Sequence, residues 1–536
     1  MLKVNPIVLE KLKVAFPKKN MAEKALQKYV SNLEQKLVHA RLYPERYASV
    51  TDSYSISIDV LRHTGGRVGS KKIWIQTWLE RNDLALVRVY MSAEPFKKKV
   101  ARIKLTELVS FVDSSGNMQP KSRSVESILA DFEGITKQRF IQTYIPNLWK
   151  DFNSNADLSL YEVIEVDVKS LDHYIKWLKD KSNLLSEKEK CRRLEMALIF
   201  KHSAIFSDGV FFQKRKPSFF GRTYYSGLSI QSIRKDLRES VIGSGWQYDI
   251  NTSVMAFKLG FAKACYAQSK GKSKHSFEDE FSSTLALVQD KKTTRETIRK
   301  EVFLNDTSLT LDKQTGLVKQ ALTAISFGAK VQAKGWLLCD GNLQRPALNA
   351  IFECQEVRQR FVDSAFIKKL TKEQNRLDKF ICKEFTVRRQ DLLDSPELKD
   401  STGKLKNSKI LSLVYQSTET LVMNFFRQKL KSTNHQVIAN IHDAIILRGK
   451  LSNQTLRYIE DSIRFEFDNP YWSFEEDEVK GYSLDWKERD RIEADAIAEQ
   501  VAQDDKLLAE ANANGVYVSR WTSDWTAITT EEHALI

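Results

Sequence analysis

Five cysteines and ten prolines in 536 residues are few, and no apolar run approaches the roughly 20 residues that a bilayer-spanning helix needs. Cys191, Cys265, Cys339, Cys354 and Cys382 are scattered, with neither a Cys-x-x-Cys pair nor a histidine at zinc-finger spacing. That argues against a zinc ribbon or a disulfide framework and leaves ordinary buried thiols as the expectation. The first residues, Met1-Leu-Lys-Val-Asn-Pro6, carry no apolar core followed by a cleavage site, so no secretion signal is read. A cytoplasmic location without a membrane partner is the default.

What is present is a globular composition, 42% hydrophobic and 29% charged, in a chain long enough for two to four domains. The net charge of +15 is unevenly placed. From Arg491 onward three bases face nine acids, which leaves a body of +21. Such a body attracts a polyanion, nucleic acid foremost, or else has a well-solvated basic surface.

Leu, Val and Ala at helical spacing between Pro6 and Tyr43 predict one or two amphipathic helices. Between Tyr54 and Val112 the pattern alternates, and Ser55–Leu61, Ile73–Trp78 and Leu84–Tyr90 read as antiparallel strands with Gly65-Gly66 as a turn. Asp113–Pro120 is the most loop-like stretch and a candidate boundary. Helical periodicity returns from Ser124 to Lys214. It ends in the cluster Phe211-Phe-Gln-Lys-Arg-Lys-Pro-Ser-Phe-Phe-Gly-Arg222, whose rings could stack on bases while Lys214, Arg215 and Lys216 meet phosphates. The plainer alternative is a surface loop anchored in the core by its phenylalanines.

Four later segments carry chemistry. Tyr248-Asp-Ile-Asn-Thr-Ser253 sets Asp249 at the end of a short strand containing Trp246, ahead of a helix-like run; a helix N-cap is the ordinary role of such an aspartate. In Lys319-Gln-Ala-Leu-Thr-Ala-Ile-Ser-Phe-Gly328, Lys319, Thr323 and Phe327 recur at i, i+4 and i+8 and so share a helix face, while Gly328 permits close approach. A cation and a ring on one face could grip the phosphates and the sugar-base end of a nucleotide; an amphipathic core helix gives the same pattern. Tyr415-Gln-Ser-Thr-Glu-Thr begins a polar helix that turns apolar. In Gln436-Val-Ile-Ala-Asn-Ile-His-Asp-Ala-Ile-Ile-Leu447, His442-Asp443 lies between two short apolar runs, as at the tip of a strand-turn-strand unit. A metal-dependent HD phosphohydrolase would carry its dyad on a helix, whereas the β-branched flanks here favour strands.

In order and spacing these segments resemble the polymerase core of the family A superfamily, which includes bacterial family A DNA polymerases and the phage and mitochondrial single-subunit RNA polymerases. Asp249 matches the metal-binding aspartate of motif A, Lys319 with Phe327-Gly328 the motif B helix, Gln416-Ser-Thr the start of a palm helix, and His442-Asp443 motif C. Gly221-Arg222-Thr-Tyr and Leu228-Ser-Ile-Gln231-Ser-Ile233 are similar to segments that meet primer and template. The likeness runs from about Lys216 to Trp486. It departs from the family at Thr315, where motif B usually has an arginine and whose part Lys313 could take. It departs again at Ala444 and Val254, where the DNA enzymes carry glutamates.

The resemblance implies an α+β right-hand core of palm, fingers and thumb with an antiparallel palm sheet, beside a smaller β-containing N-terminal domain. Its segments would be 1–140 accessory, 141–215 thumb-like, 216–300 and 405–490 palm, 301–404 fingers and 491–536 an acidic tail. It implies two-metal phosphoryl transfer to a primer, with Asp249, Ile250 and Asp443 in a Mg²⁺ site that Mn²⁺ could also fill. Lys319, Lys313, Thr323, Phe327 and Gly328 would meet the nucleoside triphosphate. Arg222, Gln231, Gln416, His442, Lys214, Arg215 and Lys216 would meet the primer-template, and Val254 and Phe327 would read the sugar. The roughly 200 residues ahead of the polymerase-like segments would be tight for an exonuclease domain together with a thumb, so proofreading is not expected. Phe327, which lacks a hydroxyl, and Gln416-Ser-Thr favour a DNA product, while Ala444 and Val254 point to RNA or a primase-like mixed activity. An inactive polymerase core that only binds nucleic acid is the alternative of another class. The compact chain would suit a phage, plasmid or other mobile element.

Overall fold

A computed structural model describes residues 2–482. Excepted are 43–52, 92–100, 113–117, 120–123, 155–157, 269–275, 305–308, 338–342 and a few shorter stretches, the dipeptide His442-Asp443 among them. The acidic tail 491–536 also lies outside the described residues. The described residues divide into two compact units, one formed by the chain up to Arg215, Tyr225–Gly243 and 480–482, the other by Lys216–Tyr224 and Ser244–Val479. Both are mixtures of helices and small antiparallel sheets, an α+β fold. No helix among the described residues is long and apolar enough to cross a membrane.

In the first unit β1 (Leu2–Val4) leads into α1 (Pro6–Ala15) and α2 (Lys19–Leu42). Asn5 caps α1 by accepting from the Ile7 amide, and proline occupies the first turn, where its missing N–H leaves no bond unmade. Two stretches that alternate in sequence are strand only at their start, where Ser55 pairs with Arg102 and Ile73–Trp74 with Arg67–Val68, and fold otherwise beyond it. Ile58–Thr64 is α3, started by Ser57 Oγ accepting from the Val60 amide, and Ile75–Arg81 is α4, whose buried residues Ile75 and Leu79 are spaced by four. Alternation over so few residues fits both periods, and the cap together with the i, i+4 pair decides for helix. The third stretch supplies β2 (Val87–Met91), which pairs antiparallel with β3 (Arg102–Leu105). The loop-like Asp113–Pro120 lies within the first unit and itself contains β5 (Met118–Gln119), which pairs antiparallel with β4 (Val109–Val112) just before it.

Gly66 is where α2 comes nearest. A Cβ there would lie 2.3 Å from Ala25 Cα. Gly66→Ala is therefore expected to destabilise the protein by about 1–3 kcal/mol, because backbone must move to admit the methyl group; thermal unfolding of the full chain measures it, and an unchanged transition would refute the close packing.

Further on come β6 (Tyr161–Glu165), α5 (Val168–Lys179), α6 (Glu187–Phe206), β7 (Val210–Pro217), β8 (Thr223–Ser226) and α7 (Lys235–Ile242). Arg193 of α6 is 1% exposed, donates from Nε to Glu189 (2.8 Å) and pairs with Asp236 of α7, which also accepts from the Tyr174 hydroxyl (2.9 Å). Burial opposes charge on Glu189, but Arg192 and Arg193 overcome it and hold its carboxyl at about 2. The basic-aromatic cluster falls largely on β7. Phe211 is buried with its ring 4.4 Å from that of Phe200, so the first phenylalanine anchors the strand in the core. Lys214 pairs with Asp151 at 2.5 Å, whereas Arg215 is exposed. The expectation of uniformly buried thiols is corrected at Cys354, which is exposed at a helix start with its Sγ 2.9 Å from Glu356; Cys191 and Cys382 are buried.

The second unit is built on a four-stranded sheet. Its members are β9 (Ser244–Ile250), β10 (Val437–Ile441), β11 (Ala444–Leu447) and β12 (Phe474–Lys480), in the order β10-β11-β9-β12. The β-branched runs on either side of His442-Asp443 thus form an antiparallel hairpin. Around it stand α8 (Ser253–Gln268), α9 (Leu311–Ser326), α10 (Ala365–Arg388) and α11 (Asn407–Ser432). One core unites Tyr248, Ile445, Leu447, Phe257, Leu322, Ile381 and Phe426, which joins the sheet to all four helices.

Candidate active site

Asp249 is the penultimate residue of β9, and register places it opposite Ala444, the first residue of β11. His442 and Asp443 lie outside the described residues, between Ile441 and Ala444, which are themselves a cross-strand pair. Asp249 is partly exposed with Oδ1 enclosed, and Ile250 beside it is buried. The chain turns at once into α8 through Thr252, whose φ of +47° is a strained conformation for a β-branched residue. Asn251 holds the turn by donating its amide to the Ser473 carbonyl (2.8 Å). The Thr252 carbonyl accepts from Met255 and Ala256, so Thr252 starts the helix and Asp249 is not its cap. Val254, in the first turn of α8, is buried.

Helix α9 buries Val318, Ala321, Leu322 and Ile325 and exposes Lys319, Thr323 and Phe327 along one face. Lys313 sits in its first turn, partly buried, its amide bonded to the Thr310 cap. Gly328 ends the helix. At φ +81° it lets its own N–H reach the Ile325 carbonyl and that of Ala329 the Ala324 carbonyl, the paired bonds of a Schellman ending.

Helix α11 meets both segments. Tyr415 is buried; its ring lies 5.9 Å from Phe327 and 5.9 Å from Phe257, and its hydroxyl is 2.7 Å from Ser253 Oγ, four residues after Asp249. That hydroxyl also donates to Glu419, which is wholly buried and accepts from Arg222 Nε (2.6 Å) and Nη2 (2.7 Å). The same guanidinium lies 5.6 Å from the Tyr415 ring. Gly221 makes the close approach possible, since a Cβ there would lie 2.8 Å from Ser417 Cα, and Thr420 donates to the Gly221 carbonyl (3.2 Å). Gln416 is partly buried, with Oε1 enclosed and without a hydrogen bond among the described residues.

The second unit therefore brings together Asp249, Ile250, Val254, Phe327, Arg222 and Gln416 through a hub of Ser253, Tyr415 and Glu419, with Lys319, Thr323 and Gly328 on the adjoining helix. Lys216 belongs to the same unit; Lys214, Arg215 and Gln231 belong to the other. The hub escaped the sequence reading. Its available signal was a glutamate on the stripe of Val422, Met423 and Phe426, four residues after a tyrosine.

Among the described residues no three His, Cys, Asp or Glu side chains form a metal cage. A carboxylate beside a main-chain carbonyl nevertheless suits Mg²⁺, which takes hard oxygen ligands and is held by one or two carboxylates together with substrate phosphates.

No family model matches this chain, and no curated protein matches it. Among solved structures it is similar to the POL domain of Pol1 from M. smegmatis in complex with DNA primer-template and dNTP, at 10% identity and a TM-score of 0.37. The likeness covers 90% of this chain and 67% of that one. At that score it assigns neither fold nor activity.

Proposed function

We propose that this chain is a template-directed nucleotidyltransferase of the family A type that extends a primer, with DNA as its product. The observation that carries the proposal is the pairing of Asp249 with Ala444, which makes the motif A aspartate a cross-strand neighbour of the residue that follows Asp443. The exposed face of Lys319, Thr323 and Phe327 supports it, because Phe327 and Tyr415 connect that face to Ser253 and so to the strand end that bears Asp249.

Asp249 and Asp443, with the Ile250 carbonyl, would hold the metal. Mg²⁺ bound there would lower the pKa of a primer 3′-hydroxyl and neutralise charge on the triphosphate. Lys319 binds a phosphate and can donate a proton to the departing pyrophosphate. Phe327 packs against the sugar-base end of the nucleotide, and His442 positions the primer terminus. In this scheme residues 216–300 and 405–490 act as palm, 301–404 as fingers and 141–215 as thumb.

Primer extension with Mg²⁺ and either dNTPs or NTPs, on DNA and RNA templates, tests the proposal. Extension with dNTPs is expected; binding without extension would favour the inactive core, and NTP use the RNA enzyme. Phe327→Tyr is expected to shift the kcat/KM ratio towards NTPs by about tenfold, or about 1.4 kcal/mol, since a hydroxyl at this position can bond the ribose. An unchanged ratio would remove Phe327 from sugar reading.

A further inference from the structure

We propose that Lys258 is a positioning residue for the nucleotide-binding face: from α8 it anchors the C-terminal end of α9, and with it Phe327. The nucleotide in that statement rests on the function proposed above; the anchoring does not. Lys258 stands in the apolar run Val254-Met-Ala-Phe-Lys-Leu-Gly260 and is 3% exposed. Its ammonium faces three oxygens from two other helices: the Ser326 carbonyl at 2.6 Å, Gln374 Oε1 at 3.1 Å and the Asp378 carboxylate. An ammonium has three N–H groups, and a buried one is tolerated only when it is paired and hydrogen-bonded.

The choice of Ser326 gives this lysine its consequence. The Schellman ending of α9 uses the carbonyls of Ala324 and Ile325, and the Phe327 amide uses that of Thr323. The Ser326 carbonyl takes its bond from Lys258 instead, a cation at the negative end of a helix dipole. Gln374 is itself fixed, donating to Thr284 Oγ1 at 3.1 Å, so the anchor does not drift. Phe327 follows Ser326 directly, and Lys258 is on the helix that begins four residues after Asp249. One side chain thus sets the distance between the nucleotide face and the carboxylate strand. Burial pushes the Lys258 ammonium down and the Cys382 thiol up to about 11, so that thiol adds no charge to the pair with Asp378.

A buried ion pair can often be replaced by apolar residues of similar size without loss of stability, which separates anchoring from mere packing. The full chain would be compared as wild type, K258M and K258M/D378L, the double variant removing both charges. Three quantities would be followed: thermal unfolding, hydrogen exchange of the amides of Phe327, Gly328 and Ala329 against those of β9 and β11, and single-nucleotide incorporation. In the double variant the unfolding temperature is expected to return close to that of wild type. The three α9-end amides are expected to exchange about tenfold faster while those of the sheet do not change. KM for the nucleotide is expected to rise about tenfold with kcat altered less than about threefold. Wild-type exchange and KM in the double variant would overturn the proposal, leaving a structural pair, as would uniform loss of protection across the unit. If wild type extends no primer, the proposed function fails, and the exchange data alone decide the anchoring.

Discussion

Asp249→Asn is expected to reduce primer extension by on the order of a thousandfold or more while leaving thermal unfolding nearly unchanged. The amide keeps the shape of the carboxylate at the end of β9 and removes only its charge, which is what the oxygen-seeking metal requires. Asp249 does not cap α8, since the Thr252 carbonyl starts that helix, so no helix terminus is lost with the charge. Asp443→Asn should act equally, and the double variant little worse than either single one, because residues that act as a unit lose their effect together. Single-turnover extension of a labelled primer measures all three. Activity within tenfold of wild type in Asp249→Asn would refute the metal-binding assignment.

The second large effect is on stability. Glu419→Ala is expected to destabilise the second unit by about 3–5 kcal/mol, the scale of breaking a buried ion pair from one side. Glu419 is 0% exposed and accepts two bonds from Arg222 as well as one from the Tyr415 hydroxyl, so its loss leaves a largely buried guanidinium, 14% exposed, without its carboxylate. Tyr415 would lose the acceptor that orients its hydroxyl towards Ser253, and nucleotide binding should weaken with it. The Arg222→Met, Glu419→Met double variant is expected to recover much of the stability, because neither charge then remains buried. Urea unfolding followed by hydrogen exchange within the second unit distinguishes these outcomes. A loss below about 1 kcal/mol for Glu419→Ala would mean that water reaches Arg222 and screens it.

Some of this protein is written locally. Pro6 after Asn5, Gly328 after a helical run, and the valine and isoleucine flanks of His442-Asp443 each act through backbone within a few residues, and each stands where its chemistry indicates. The exposed face of Lys319, Thr323 and Phe327 follows from helical period alone. Short alternating runs were less informative. Ile73–Trp78 divides, Ile73–Trp74 pairing as a strand with Arg67–Val68, while Ile75, spaced by four from the buried Leu79, begins a helix that packing selected. Lys214 was legible as a cation near aromatic rings, but its pairing with Asp151 depends on a residue far away in the chain.

Sequence by itself determined the polar residues, their order, the hairpin that flanks His442-Asp443 and the face shared by Lys319, Thr323 and Phe327, because turn and periodic preferences are short-ranged. It did not determine every helix end, since the helix expected to begin at Tyr415 begins at Asn407. Only the tertiary structure decided that Arg222 lies under Glu419, that Tyr415 connects Phe327 to Ser253, and that Lys258 closes the end of α9. These are buried polar contacts between residues distant along the chain. Their free energy arises only when water is excluded from both partners at once, and no local pattern specifies which partner will be there.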